Sequence, residues 1–431
     1  MNADPTRGSL RDYIATSAAS IEQRAAPFEA WRTARETAGY WPYAKYLLDA
    51  PGPRMTLQHS DGERFTGFNF ATQDYLSLSS HPAVREAAIE AIRRLGVHSA
   101  GSTALAGNVH EGLALEAALA DWLRTEHVLL FPTGWAAGYG VIKGLVRAND
   151  HVVLDELAHN CLQEGAMAST RNVRRHRHLD VEAVREVLAA IRATDSTNLI
   201  LVVTEGTFSM DADSPDLRRY QAVCHEFGAT LVVDVAHDLG NCGPNGTGQI
   251  GLQGMLGEID IVMGSFSKTF ASNGGFIATR SKAVKEYVRY CGSPSIFSNA
   301  LSPAQIAAVN TAVSIIRAPA GEALRDRLAR AVGALREELE AQFLTLIGDP
   351  HAIVPVVVGA EVVGRRASRT VASEGVLVNL AEFPVVPIGR SRFRLQAMAA
   401  HDPADCRTAA RLIAESIRRA EAELPPEVSA A

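Results

Sequence analysis

Five short apolar runs, each rich in β-branched residues, recur between residues 127 and 265. They are HVLLF (His127–Phe131), HVVLD (His151–Asp155), LILVVTE (Leu199–Glu205), TLVVDV (Thr230–Val235) and IDIVMGS (Ile259–Ser265). Runs of this length without polar alternation suit strands covered on both faces, as in a parallel sheet. Helical signals lie between them. Leu217, Tyr220, Cys224 and Phe227 follow a helical spacing, with Ser214 expected as N-cap, Pro215 as first helical residue and Gly228 as the stop. SHPAVREAAIEAIRRLG repeats the scheme and ends at Gly96. The alternation predicts an α/β fold with a mostly parallel central sheet and helices on both faces. A chain of 431 residues exceeds one small core. The expected organisation is an N-terminal helical arm (1–64), a large sheet domain (65–300) and a smaller C-terminal α/β domain (301–431). The last would contain a long Ala/Arg/Glu helix, AIVPVVVG and GVLVNL.

Several function classes drop out. A net charge of -6 provides no electrostatic footprint for nucleic acid or an anionic membrane. No apolar run approaches the ~20 residues of a membrane span. The opening MNADPTRGSLRDY lacks the apolar core of a signal peptide. Five scattered cysteines without a CxxC pair suit a reducing cytoplasm and argue against a structural zinc site, and no metal is expected. The basic stretch RNVRRHRHLD reads as a solvated strand edge, with contact to CoA phosphates as its alternative use.

Ligands of such sheets gather at the carboxyl ends of the strands. After the first run comes PTGWAAGYG, a turn opening a helix, where free N–H groups and the helix dipole can hold a phosphate. After the second comes His159, and after the third GTFSMDAD with Ser209. Asp234 closes the fourth run, with His237 three residues on. Ser265 and Lys268 follow the fifth, inside GSFSKTFASNGGF, a stretch of small residues without a carboxylate. Pyridoxal phosphate chemistry needs this set. Its aldehyde takes a lysine amine as a Schiff base, and Lys268 suits that role. Its phosphate needs a helix N-terminus and a hydroxyl such as that of Ser265. Its pyridine nitrogen needs a carboxylate, Asp234, and its ring a flat partner, His159. Burial among small residues beside a cationic ring would favour the neutral amine.

At this point the chain resembles the α-oxoamine synthases of the fold-type I pyridoxal phosphate enzymes, from about Phe65 to His401. NFATQDYLSLSSHP, FPTGWAAGYGVI, DELAHNCLQEGA, EGTFSMDADSPDL, VVDVAHDLGNCGPNGTG, GSFSKTFASNGGF, SPSIFSNALSP and SRFRLQAMAAH are similar to that family's motifs and occur in its order. The resemblance implies Gly134 and Trp135 at the cofactor phosphate and His159 over the ring. It implies Ser209 and His237 beside the phenolic oxygen, Asp234 at the pyridine nitrogen and Lys268 on the aldehyde. It places Ser298 at the phosphate of a neighbouring subunit, which implies a homodimer with active sites at the interface. Arg394 falls where the substrate carboxylate is held, and Arg392 is its rival in the same motif.

The implied reaction begins when an amino acid displaces Lys268 from the cofactor, its carboxylate held by Arg394. Lys268 removes the Cα proton, and the carbon attacks an acyl thioester, acyl-CoA foremost. Loss of CO2 then gives an α-amino ketone. Departures from the family pattern concern the substrate. Asp74 stands for Asn, Thr103 for Arg, Gly112 for His, Val235 for an acid and Ala158 for Asn. Two other readings stay open: an aminotransferase, which shares the lysine and acid but needs no thioester, and a non-catalytic scaffold subunit of this fold. The residues do not choose the amino acid or the acyl chain.

Overall fold

The five apolar runs all become strands of one seven-stranded sheet. Its order is His127–Phe131, Gly275–Thr279, Ile261–Ser265, Thr230–Asp234, Ile200–Glu205, His151–Asp155, Val173–His176. This computed structural model describes residues 4–14 and 17–424; residues 1–3, 15–16 and 425–431, parts of the expected arm and C-terminal domain, lie outside the described residues. Four neighbouring pairs of the sheet are parallel, and only Gly275–Thr279 runs against its two neighbours. Three strands, His151–Asp155, Ile200–Glu205 and Ile261–Ser265, are buried along their whole length, which is why they carry no alternation.

Two strands escape the apolar-run criterion. Val173–His176 lies at the sheet edge with Arg174 and Arg175 exposed, so its basic residues stay in water while the backbone pairs. Gly275–Thr279 starts on a glycine for a steric reason: a Cβ on Gly275 would stand 2.7 Å from the Gly134 Cα. The helix after the third run also starts later than its sequence suggests. It spans Leu217–Glu226, and Asp216 rather than Ser214 caps it, its carboxylate accepting from the Arg219 N–H at 3.1 Å. Ser214 lies 3.3 Å from the Thr207 hydroxyl instead, and Pro215 precedes the cap. Leu217, Tyr220 and Cys224 are buried as their spacing requires.

By contacts the chain forms two units. One comprises Leu76–Ser209 and Asp213–Arg325 and holds the large sheet. The other comprises Met1–Tyr75, Met210–Ala212 and Asp326–Ala431. The divisions thus fall after Tyr75 and Arg325, not at 64 and 300 as the sequence organisation suggests. The cause is strand pairing: Val376–Leu377 joins Arg64–Asn69 in parallel, so N- and C-terminal segments share a four-stranded sheet. Ile353–Gly359, Ser391–Gln396 and Asn379–Ala381 form a separate three-stranded sheet. The single long helix expected after Ser302 is two, Pro303–Arg317 and Pro319–Ala341, because proline favours extended backbone in the residue before it, Ala318. No helix of the described residues is long and apolar enough to cross a membrane.

The N-terminal arm is tied into its unit by buried charge. Arg365 grips Glu382 with two hydrogen bonds, 2.6 and 3.2 Å, and donates a third to the Thr6 carbonyl at 2.6 Å. The Tyr43 hydroxyl adds a bond to Glu382 at 3.1 Å. Arg35, fully buried, lies 3.9 Å from the same carboxylate and stacks on Trp31 and Trp41. Burial and the neighbouring Arg365 push Arg35 down to about 10. Removing the shared carboxylate strands two buried cations. Glu382→Ala is therefore expected to destabilise this unit by about 3–5 kcal/mol, read as a lowered midpoint in urea with the arm released to protease.

Candidate active site

Seven of the sequence-selected residues meet in one pocket of the sheet unit. Gly134, Trp135, His159, Asp234, His237, Ser265 and Lys268 line it, together with Thr133, Cys161, Glu205, Ala236, Met263, Ser267, Asn273 and Gly274. Topology explains the convergence, since each comes from the carboxyl end of a strand or from the turn that follows.

On one side the helix Gly134–Leu145 opens onto the pocket. Thr133 caps it, its hydroxyl accepting from the Ala136 N–H at 3.0 Å. The N–H groups of Gly134 and Trp135 precede the helical ladder and carry the positive end of the dipole. Gly134 is a glycine of necessity, because a Cβ there would stand 2.3 Å from Ser265 Oγ. That closeness sets the Ser265 hydroxyl, 2.8 Å from Ser267 Oγ, beside the first helical turn. A phosphate fits this cradle on both counts, donors and space.

The floor holds two acids. Asp234 and Glu205 are register partners on adjacent parallel strands, and only 4% and 1% exposed. Burial raises the Asp234 carboxyl; Lys268, His159 and the Ala236 N–H at 2.8 Å oppose that rise. Burial and then the charge of Asp234 push Glu205 well above the usual carboxylate range. The cationic company recorded for the pair is Lys268 and His159, which leaves the floor suited to a pyridinium.

His159 is the N-cap of the helix Asn160–Met167. Its Nδ1 accepts from the Cys161 N–H at 3.2 Å, and its backbone N–H donates to Glu205 Oε1 at 2.7 Å. The ring is therefore held through Nδ1 by the first turn of its helix, and the backbone that carries it by Glu205. Burial pushes the Cys161 thiol far up, so the sulfur stays protonated and apolar in character. The turn leading to His159 is braced by Asp155, which accepts from the Leu157 and Leu179 N–H groups at 2.9 Å each. His178 bridges Asp155 and Asp213 at 2.9 and 3.0 Å. Burial alone would lower His178, but the two carboxylates outweigh it and hold the imidazole up at about 10. The bridge fastens the end of the Gly206–Asp213 loop, which carries Ser209.

Other expected residues lie elsewhere. Ser209 is not among the residues lining the pocket, and neither is Ser298, whose hydroxyl donates to the Pro294 carbonyl. Asp74 and Arg394 belong to the second unit, where both are buried. Arg394 hydrogen-bonds the fully buried Tyr75, whose phenol burial pushes up to about 12. Its rival Arg392 lies on the same strand and is engaged with Asp211 and the Met210 carbonyl. Sequence reasoning missed Glu205. The signal was present, since Glu205 ends its strand run as Asp234 ends the next; attention went to what followed the run.

Comparison with known proteins gives the site its context. Residues 66–413 match the model of the aminotransferase class I and II family. The 8-amino-7-oxononanoate synthase of Geotalea daltonii is 35% identical over 348 residues, 81% of this chain and 88% of that protein. The enzyme of the same name from Geobacter metallireducens is 36% identical over 343 residues, 80% of this chain and 87% of its own. Among solved structures, a serine palmitoyltransferase from S. paucimobilis with bound PLP and myriocin has a TM-score of 0.86 at 28% identity, covering 94% of this chain and 100% of that one. The Sphingomonas wittichii serine palmitoyltransferase has a TM-score of 0.86 at 26% identity, with 94% and 100% covered. By sequence, fold and pocket chemistry together, the chain belongs to the aminotransferase class I and II family and, within it, to the α-oxoamine synthases, pyridoxal phosphate-dependent acyltransferases of fold type I.

Proposed function

We propose that this chain condenses an amino acid with an acyl thioester, acyl-CoA foremost, releasing CO2 and the free thiol and forming an α-amino ketone. The observation that carries it is the pocket in which Lys268 faces two buried acids beside a glycine-built phosphate cradle. Relatives named 8-amino-7-oxononanoate synthase, aligned over about four-fifths of the chain, support the acyl-transfer reading over an aminotransferase or a scaffold subunit.

Pyridoxal 5′-phosphate, when bound, supplies an aldehyde and a ring that takes up the electron pair left by a broken Cα bond. In this reading Gly134, Trp135 and Ser265 hold its phosphate. Asp234 would hold its pyridine nitrogen, and His159 would be the flat partner of its ring. Ser209 and His237 serve the phenolic oxygen. The Lys268 amine would be the group that takes the cofactor's aldehyde, and it would also serve as the base that moves the substrate's Cα proton. Arg394 holds the substrate carboxylate as a two-pronged partner, Arg392 being spent on Asp211. Asp74 contributes to substrate choice. Fixing both substrates in one cleft supplies much of the acceleration.

The reading includes a homodimer with Ser298 reaching the partner's cofactor phosphate. Exposed apolar side chains support it: Leu105 is 78% and Phe297 84% exposed, on segments joined by the Ala104 N–H to Ser295 carbonyl bond at 3.0 Å. All five cysteines are free, which supports the reducing cytoplasm as its location.

Four variants test this reading. Lys268→Ala should abolish the visible absorbance of the reconstituted protein and cut thiol release from acyl-CoA by at least about 10³-fold; an unchanged band would remove Lys268 from its role. Arg394→Lys keeps the charge but loses the fork, so kcat/KM for the amino acid should fall about 10- to 100-fold. Arg392→Lys should shift the amino acid KM by less than about threefold. In sedimentation, Phe297→Asp should shift the protein from dimer towards monomer while the wild type stays dimeric.

A further inference from the structure

Glu205 is the buried titratable group of the pocket for which the reaction above finds no use. Its position is not that of an idle core residue. It ends a wholly buried strand, stands in register with Asp234 on the next strand, lines the pocket with Lys268 and accepts the His159 N–H at 2.7 Å. An acid at 1% exposure must be matched by charge or carry a proton.

The charges around it do not match two anions. The strand Thr230–Asp234 presents Asp234, and the strand His151–Asp155 presents Asp155. The helix cap contributes His159, and the first turn of that helix Cys161. The Lys268 turn contributes Lys268. Asp238 stands against Gly206, where a Cβ would be 2.7 Å from its carboxylate, and burial pushes that acid up to about 7. Asp155 is already matched by His178. The basic groups that share the pocket with Asp234 and Glu205 are Lys268 and the imidazoles of His159 and His237, and Lys268 is the one that acts on both acids. A reacting Lys268 must spend part of its cycle neutral, and a second full anion beside it would favour the ammonium form.

We propose that Glu205 works as a neutral carboxylic acid, a positioning residue that holds the His159 backbone N–H through its carbonyl oxygen and leaves Asp234 the anion that faces the cofactor ring. This rests on the reading of Lys268 as the amine that takes the cofactor's aldehyde. Glu205 Oε1 accepts from His159 whether or not Oε2 carries a proton, so the neutral form keeps the orientation and removes the competing charge. The burial and the charge of Asp234 that raise Glu205 act in the same direction. Two acids in register are thereby pushed apart in protonation, one to hold a cation and one to hold a hydrogen bond.

The test exploits the isostere of a neutral acid. Glu205→Gln should keep the affinity for pyridoxal phosphate within about threefold of wild type and keep the visible band. Glu205→Ala, which loses the acceptor, should weaken it by at least about tenfold. A Glu205→Gln protein as impaired as Glu205→Ala would overturn the proposal, because then the charge itself is needed. Two readouts on the apoprotein stand independently of the reaction. Infrared difference spectra of wild type minus Glu205→Gln at neutral pH should contain the C=O stretch of a protonated carboxyl; a carboxylate band in its place would also overturn it. The difference removes any contribution from Asp238. In urea unfolding, a native acid that keeps its proton after the unfolded chain has lost it makes the native state less stable as pH rises. The stability of Glu205→Gln relative to wild type should thus grow as pH rises above the ordinary carboxylate range, and a constant difference would contradict the neutral form. If Lys268→Ala left the cofactor band intact while these apoprotein results held, the functional reading would fail and the protonation of Glu205 would stand.

Discussion

Two carboxyl groups at neighbouring strand ends, Glu205 and Asp234, cannot both be buried as anions without an answering charge, and that constraint organises the pocket around them. In a parallel sheet, residues in register on adjacent strands lie about 4.8 Å apart, and the interior gives them little solvent to screen them. The chain answers in three ways. It sets Lys268 and His159 beside the pair, directs the His159 and Ala236 N–H groups at the oxygens, and leaves space for a cationic ring. Asp155, on the next strand, is answered by a protonated His178 that it shares with Asp213. Asp155 and Asp234 are thus met by cationic side chains, and Glu205 by the backbone N–H of His159.

The opposite wall is set by closeness rather than charge. The glycines at 134 and 275 bring the first turn of a helix, the strand end at Ser265 and the reversed strand into mutual contact, with Cβ positions that would stand 2.3–2.7 Å from their neighbours. Gly274 has a φ of +114°, a backbone state that side chains resist, and it turns the chain back from the Lys268 loop into the sheet. The small residues around Lys268 therefore do two things. They allow the reversal, and they leave the lysine facing a cavity instead of a packed wall.

How much of this can be read from sequence follows from the physics of each element. The five apolar runs are legible because a strand buried on both faces has to be apolar throughout, and the site residues are legible because they stand at the ends of those runs. Val173–His176 is illegible by the same criterion, because an edge strand with its arginines in water has no apolar signature. Gly275–Thr279 is hidden by the glycine that its contact with Gly134 demands. The shift of the helix cap from Ser214 to Asp216 turns on a competing hydroxyl partner, Thr207, that is adjacent in space only once the loop has closed. Long-range pairing of Val376–Leu377 with Arg64–Asn69 leaves no local trace, and it is what moves the unit boundary.

Four of the five departures from the family pattern lie in the sheet unit and fall into two physical classes. Val235 and Ala158 adjoin Asp234 and His159, and both are buried apolar positions, at 1% and 2% exposure. An uncharged residue beside each acid-bearing or histidine-bearing strand end adds no further charge to a pocket already crowded with it. Thr103 and Gly112 instead line a second cavity of the same unit, with Asn108, Glu116 and Lys285, and that cavity shares no lining residue with the Lys268 pocket. Gly112 is not forced there, since a Cβ would meet only Ile306 and Leu130 at 3.7 Å, an ordinary contact. A helix-interior glycine without a steric reason costs about 0.5–1 kcal/mol relative to alanine. Thr103 and Gly112 are therefore separated in space from the Lys268 pocket, so the chain can vary them without disturbing the charge balance on which Lys268 depends.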